Sequence, residues 1–279
     1  MLLRALDAAH LVESPHPGRY HPHDLLREYA AERALAEIPE PERAEALDRL
    51  LEFYLDHAGA ATAFGYPPLI RVARDRPVGD LFDGRDAALA WLESERANLV
   101  AAVVRAAETD RHRTAWRLAD ELRGRLYQRR HLPEWETTAQ AGLRAARRAA
   151  DPLGAAAMRH GLATLYRQTG EVRTSLEHHQ AALEGYRRAG FAEGEAGMLM
   201  NLATLYDDLG DMRRASEWLG RGIARDHGLR LVECRTHHTL AALYRRLGCP
   251  ERAGRHIADA RRLHAETGYR PAAAAWPVD

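Results

Sequence analysis

Histidine is the residue of this chain best suited to chemistry near neutral pH, because its imidazole gains and loses a proton there and ligates metals when neutral. Fifteen are present. Four of them, His10, His16, His21 and His23, crowd the amino end, and His21-x-His23 could present two nitrogens from one face of a strand. No cysteine or close set of carboxylates completes a tetrahedral site around that pair, so no metal is expected. His178-His179 and His237-His238 are adjacent on helical segments, where neighbouring side chains diverge by about 100° and chelate poorly. Lysine is absent, which removes both the phosphate-binding lysine of a P-loop and the amine of Schiff-base catalysis. Gly-x-Ser-x-Gly, His-Glu-x-x-His and Gly-x-Gly-x-x-Gly do not occur either, so no catalytic residue is assigned and no enzyme is expected.

Arginine is the other residue present in quantity. Arg123, Arg125, Arg129 and Arg130 form one group and Arg144, Arg147 and Arg148 a second, close to a basic stripe. Forty basic residues balance forty acidic ones, and few aromatics are interleaved. The stripe is therefore expected to be solvated or to dock a domain, with no direct nucleic-acid contact. Cys234 and Cys249 do not form a C-x-x-C unit and read as free thiols of a reducing cytoplasm. The first residues lack a long apolar stretch, and no run of about 18 apolar residues follows, so neither export nor a membrane span is expected.

The elements that must carry these residues are helices. Ala, Leu, Arg and Glu dominate, and their unbranched side chains lose little rotamer freedom on a helical turn. Three segments are copies of one another: Gly161-Leu162-Ala163-Thr164-Leu165-Tyr166, Asn201-Leu202-Ala203-Thr204-Leu205-Tyr206 and Thr239-Leu240-Ala241-Ala242-Leu243-Tyr244. Each is followed, four residues after its Tyr, by a glycine: Gly170, Gly210 and Gly248, spaced 40 and 38 residues apart. Leu and Tyr share a helical face, Ala lets a second helix approach, and the glycine ends the helix in a left-handed turn. A partner helix follows each time, with Ser175, His179 and Ala182, then Ala215, Leu219 and Gly222, then Ala253, Ile257 and Ala260 at matching offsets. Small residues at the outer offsets allow close approach and the larger middle one fills the groove.

These residues resemble the tetratricopeptide repeat in its longer, roughly forty-residue form. The resemblance implies an all-α fold, a right-handed superhelical solenoid of helix pairs, with three repeats over 155–268. A degenerate copy is expected over 111–154, where Leu118, Leu122 and Leu126 lead to Arg130, forty residues before Gly170 and in the glycine's place. In such a solenoid the first helix of each pair lines the concave side. The expected ligand groove is therefore His160, Thr164 and Arg167, then Met200, Asn201, Thr204 and Asp207, then Arg235, His238, Thr239 and Arg245, with arginine at both ends and an acidic middle. Relatives that clamp a peptide carboxylate place Lys or Arg and Asn at such offsets. Asn201 and Arg235 match that pattern and His160, Thr164 and Thr239 do not, which favours a mixed-charge peptide or a sister domain.

The amino end differs. Leu2–His10 reads as a helix, Leu11–Glu13 and Arg19–His21 as short strands around a turn at 14–18, and a further helix starts near Asp24, whose carboxylate should cap it. Residues 1–35 thus look like the back half of a winged helix with its wing hairpin. Between 36 and 110 lies a helical linker region: a helix over 42–62 burying Leu47, Leu50, Leu51, Tyr54 and Leu55, a Pro/Gly loop near 65–85, and a helix from Asp86 to about Ala107. Residues 269–279, rich in Ala and Pro, are expected to form a flexible tail.

His23-Asp24-Leu25-Leu26-Arg27 resembles the segment that closes the winged helix of NB-ARC (STAND) signalling ATPases, with Pro22 where those have Met. The order of wing, His-Asp-Leu-Leu-Arg, Ala90-Trp91-Leu92-Glu93-Ser94-Glu95-Arg96-Ala97-Asn98-Leu99 and repeats is similar to the carboxy-terminal part of actinobacterial transcriptional regulators of the AfsR-like kind. The resemblance implies that His23 and Asp24 belong to a nucleotide-sensing element, with His23 reaching the β-phosphate of ADP. It implies ADP or ATP as cofactor only where an upstream ATPase domain is present. The function expected is a protein–protein interaction scaffold or sensor arm, binding a partner protein, a peptide or its own upstream nucleotide-binding domain. The alternative is a stand-alone receptor for a small ligand or signal peptide. Exposed solenoid ends leave a homodimer open.

Overall fold

The computed structural model describes residues 2–16, 19–65, 72, 79, 81–224 and 230–267. It divides into two compact units, Met1–Phe53 and Tyr54–Asp279, and the division runs through one long helix. The first unit holds α1 (Leu2–Ala8), β1 (Val12–His16), β2 (Arg19–Pro22), α2 (Asp24–Glu37) and the start of α3 (Glu40–Gly65). β1 and β2 pair antiparallel, Val12 opposite Pro22 and Glu13 opposite His21, and β1 continues three residues past the strand expected. His10 takes a left-handed φ of 57° in the turn from α1 into the hairpin. α2 buries none of its residues, and Leu25, Tyr29 and Leu35 are all exposed. On α3, Leu51 is buried but Leu50 is about half exposed, so the buried stripe is narrower than the sequence suggested. The loop expected near 65–85 falls largely outside the described residues, and the tail at 269–279 does so wholly.

The second unit is a helical solenoid. It holds the end of α3, then α4 (Arg85–Ser94), α5 (Arg96–Glu108), α6 (His112–Arg129), α7 (Leu132–Arg148), α8 (Pro152–Thr169), α9 (Val172–Ala189), α10 (Ala192–Asp208), α11 (Met212–Ala224), α12 (Arg230–Arg246) and α13 (Pro250–Thr267). The single helix expected from Asp86 to Ala107 is two, because Glu95 leaves helical geometry at φ −95°, ψ 1°. From α6 onward each helix packs on the next, and α6, α8, α10 and α12 also pack in succession, first helix on first helix.

Left-handed turns set the rhythm. Gly170, Gly210 and Gly248 have φ of 83°, 75° and 67°, and Arg130, at the equivalent place, has 55°. Only glycine adopts that region without a Cβ penalty, so Arg130 holds the turn against its own preference. A second series falls between them at Asp110, Ala150 and Gly190, again forty residues apart. It ends α5, α7 and α9, which puts α5 in step with the second helices of the repeats that follow.

Packing follows the small-large-small pattern. Ser175, His179 and Ala182 are buried, as are Ala215 and Leu219 and then Ala253 and Ala260, while Ile257 is half-buried. The Ser175 hydroxyl donates to the Ala163 carbonyl at 2.8 Å, tying α9 directly to the α8 backbone. One apolar cluster gathers Ala156, Leu183, Tyr186, Met198 and Leu202, and the next gathers Ala203, Tyr206, Leu219, Leu240 and Leu243. At the start of α8, Asp151 accepts from the Gly154 N–H at 2.9 Å and from the Trp116 indole at 3.0 Å, so one carboxylate caps a helix and fixes its neighbour. A Cβ on Gly154 would lie 2.6 Å from that indole, which explains the glycine.

Candidate functional site

The inner stripe of first helices meets where α6, α8 and α10 pack. At its centre is His160, 6 % exposed. Its Nε2 lies 3.3 Å from Arg123 Nη1 and 3.2 Å from Asn201 Nδ2, and its Nδ1 lies 3.3 Å from the Tyr186 hydroxyl. A guanidinium can only donate, so Nε2 must be the acceptor and the ring proton sits on Nδ1. Burial, and then the Arg123 charge, hold the His160 pKa well below the usual value, so the ring stays neutral. Arg123 in turn bonds Asp120 at 3.2 Å. A chain of buried Asp120, Arg123 and His160, ending at half-buried Asn201, therefore runs through three successive first helices. Burial also raises the Tyr186 pKa, keeping its hydroxyl protonated.

The expected groove residues thus divide. His160 and Met200 are buried and form the floor of the stripe, not a face open to a ligand. Thr164 and Thr204, half-buried, each donate to the carbonyl four residues back, His160 and Met200 respectively, at 3.1 Å. Arg167 pairs with Asp208 at 2.9 Å and Asp207 pairs with Arg246 at 2.5 and 2.7 Å, each bond joining one repeat to the next. Arg167 and Asp207 of the expected pattern are accordingly rungs in a ladder of internal pairs, because residues about forty apart in sequence are neighbours on adjacent turns. His238 and Thr239 are half-buried, Arg245 is exposed, and the side chain of Arg235 lies outside the described residues.

The basic stripe divides in the same way. Arg123 and Arg125 are buried, while Arg129, Arg130, Arg144, Arg147 and Arg148 are exposed. Arg125 donates twice to Glu93 Oε2, at 3.0 and 2.5 Å, and His131 and Arg96 lie 3.4 and 3.3 Å from Oε1. Burial alone would raise the Glu93 pKa, but these cations outweigh it and lower it. The segment Ala90 to Leu99, quoted above for its resemblance, therefore ties α4 to α6 through Glu93 and α5 to α4 through Arg96.

His23 is the residue preceding α2, and its ring is about half exposed with Glu13 at 3.9 Å. β2 ends at Pro22, so His21 and His23 do not share a strand face. Asp24 is the first helical residue and makes no cap bond; its carboxylate takes Arg27 at 2.8 Å. It still sits favourably at the positive end of the helix dipole. In the last helix pair, His237 Nδ1 and His256 Nδ1 approach to 2.9 Å between α12 and α13. Adjacent-residue spacing gave no sign of this pairing, since the partners are nineteen positions apart on different helices. The one sequence signal was His256-x-x-Asp259, a spacing that shares a helical face.

Comparison with known proteins places this geometry. Residues 154–226 match the tetratricopeptide-repeat family. Regulatory protein AfsR of Streptomyces griseus is 46 % identical over 106 residues, 36 % of this chain and 11 % of that protein. Regulatory protein AfsR of Streptomyces coelicolor is 39 % identical over 159 residues, 54 % of this chain and 16 % of its own length. The matched stretches are thus a small part of those regulators. Among solved structures, BtubC (BKLC) from P. vanneervenii superposes with a TM-score of 0.55 at 19 % identity, over 81 % of this chain and 94 % of that one. A Podosopora anserina protein of nearly identical TPR-like repeats gives 0.50 at 17 %, over 82 % of this chain and 99 % of that one. These two likenesses concern the fold. The sequence identities support the AfsR-like resemblance drawn from the motif order. No helix among the described residues is long and apolar enough to cross a membrane.

Proposed function

We propose that this chain is the protein-interaction arm of an AfsR-like regulator and has no catalytic activity of its own. The observation that carries this reading is the 39 to 46 % identity to AfsR over part of the chain, joined by the tetratricopeptide-repeat match over residues 154–226. The inner wall supports it, because the charges found there are spent on one another: Asp120 on Arg123, Arg167 on Asp208, Asp207 on Arg246. A wall of that kind presents a fixed shape, not a poised acid and base. The rim residues Asn201, Thr204, His238, Thr239 and Arg245 are what a partner protein or peptide would meet. A ligand there would act by favouring one docking state of the arm over another, a population shift that requires unequal affinity for the two.

The second contact is α2. Its exposed Leu25, Tyr29 and Leu35 suit a protein surface, and the AfsR relatives are several times longer than the stretch they share with this chain. We assign that face to an upstream nucleotide-binding domain, which would also bring His23 within reach of a phosphate. With no P-loop lysine in the chain, the arm alone is expected not to hold ADP. Calorimetric titration tests both parts. The chain should bind, at micromolar Kd, S. coelicolor AfsR from which the matching stretch has been deleted, and Leu25→Asp should weaken this at least tenfold. ADP should give no heat with the chain alone. Absence of binding to AfsR would refute the reading, and ADP binding lost on His23→Ala would move the nucleotide switch into this chain.

A further inference from the structure

We propose that His237, His256 and Asp259 form a binding site for one Zn²⁺-class divalent cation, bridging α12 and α13 of the last repeat. One ligand atom from each lies within 4.8 Å of the other two. His237 Nδ1 is 2.9 Å from His256 Nδ1 and 3.7 Å from Asp259 Oδ2. Around a tetrahedral ion with bonds of about 2.0 to 2.1 Å, ligand atoms stand about 3.3 Å apart. The two observed separations bracket that value, so small side-chain rotations would admit the ion.

The donor set also fits in kind. Two imidazoles and one carboxylate suit zinc, cobalt or nickel better than calcium or magnesium, which prefer oxygen. His256 and Asp259 are three apart on one helix and so share a face, while His237 comes from the facing helix. Outer partners orient them. Arg262 lies 3.4 Å from Asp259 Oδ1, turning Oδ2 toward His237, and the Tyr244 ring stacks on His256 at 5.4 Å and 4°. Such neighbours fix ligand geometry in known metal sites. Without an ion, one ring must donate its Nδ1 proton to the other. With an ion, that proton moves to Nε2 of the same ring and both Nδ1 atoms turn to the metal, with no net proton lost.

A site of this kind would clip the terminal repeat shut when occupied. The test is titration of the tag-free chain with Zn²⁺ and with Co²⁺. One Zn²⁺ per chain at micromolar Kd is expected, weakened at least tenfold by His256→Ala and by Asp259→Asn, and unchanged in the doubly substituted His21→Ala, His23→Ala chain. Co²⁺ should give the intense visible bands of a four-coordinate site. Absence of those bands overturns the proposal without any substitution, should a variant fail to fold. Binding that survives His256→Ala, weak six-coordinate Co²⁺ bands, or no binding at 100-fold excess of Zn²⁺ over chain would each overturn the proposal.

Discussion

α2 and α8 are helices of comparable build with opposite fates. α2 carries Leu25, Leu26, Tyr29 and Leu35 and buries none of its fourteen residues. α8 is little more apolar at its centre, yet it buries Ala156, Met158, His160, Leu162 and Leu165 against helices on both sides. The difference lies in the neighbours. A repeat supplies a matching face at each end, so every buried stripe finds a mate, whereas α2 relies on helix propensity and its Asp24–Arg27 and Arg33–Glu37 pairs. Stability in α8 is therefore tertiary, and in α2 it is local.

The largest effect should come from cutting into the packed helix. Leu162→Ala leaves a cavity in the core and should cost about 2 to 5 kcal/mol in urea denaturation, whereas Leu25→Ala on α2 should change stability by less than about 0.5 kcal/mol. Equal costs would erase the contrast. Acid should pick out the same region. His179 is held down to about 4, chiefly by burial, and His160 is held well below its ordinary value. Both are depressed, so the unfolded chain binds protons first as pH falls below about 6.5, and stability drops with it. At pH 5 the loss should be roughly 2 kcal/mol for His179, with His160 adding in the same direction, read as a lower Tm for the solenoid, with hydrogen exchange in α2 little changed. A Tm independent of pH between 7 and 5 would mean these rings are not buried neutral. The smallest effect tests the turns: Arg130→Gly relieves a left-handed backbone and should stabilise α6–α7 by about 1 kcal/mol, while Gly170→Ala should destabilise by a similar amount.

Much of the solenoid was legible because its signal repeats. Leu-Ala-x-Leu-Tyr with a glycine four residues on marks the period, and the same count puts Arg130 in the glycine's place, where its φ is indeed left-handed. The second turn series was hidden, since Asp110, Ala150 and Gly190 share a backbone conformation but no chemistry. The inner wall was harder. Arginines are normally solvated, so Arg123 and Arg125 read as surface residues, and only packing against Asp120, His160 and Glu93 reveals them as interior. Asn201 was placed in the groove by the inner stripe of its helix, yet its amide also meets His160 of the preceding repeat. The His237–His256 pair had no local signature, because ligands contributed by two helices become neighbours only after those helices pack.

The chain from Asp120 to Asn201 also has a mechanical consequence. Parting α6 from α8 would break the Arg123–His160 bond and parting α8 from α10 the His160–Asn201 bond, leaving polar groups unpaired in the interior, so this stretch should resist bending as a unit. Beyond it, α12 is held to α10 by apolar contacts and by the Asp207–Arg246 pair, and Arg246 is more than half exposed and screened by salt. The solenoid should then be stiffer from α6 to α10 than at α12 and α13. Load applied at its far end flexes α12 and α13 first, and ionic strength sets how far they yield.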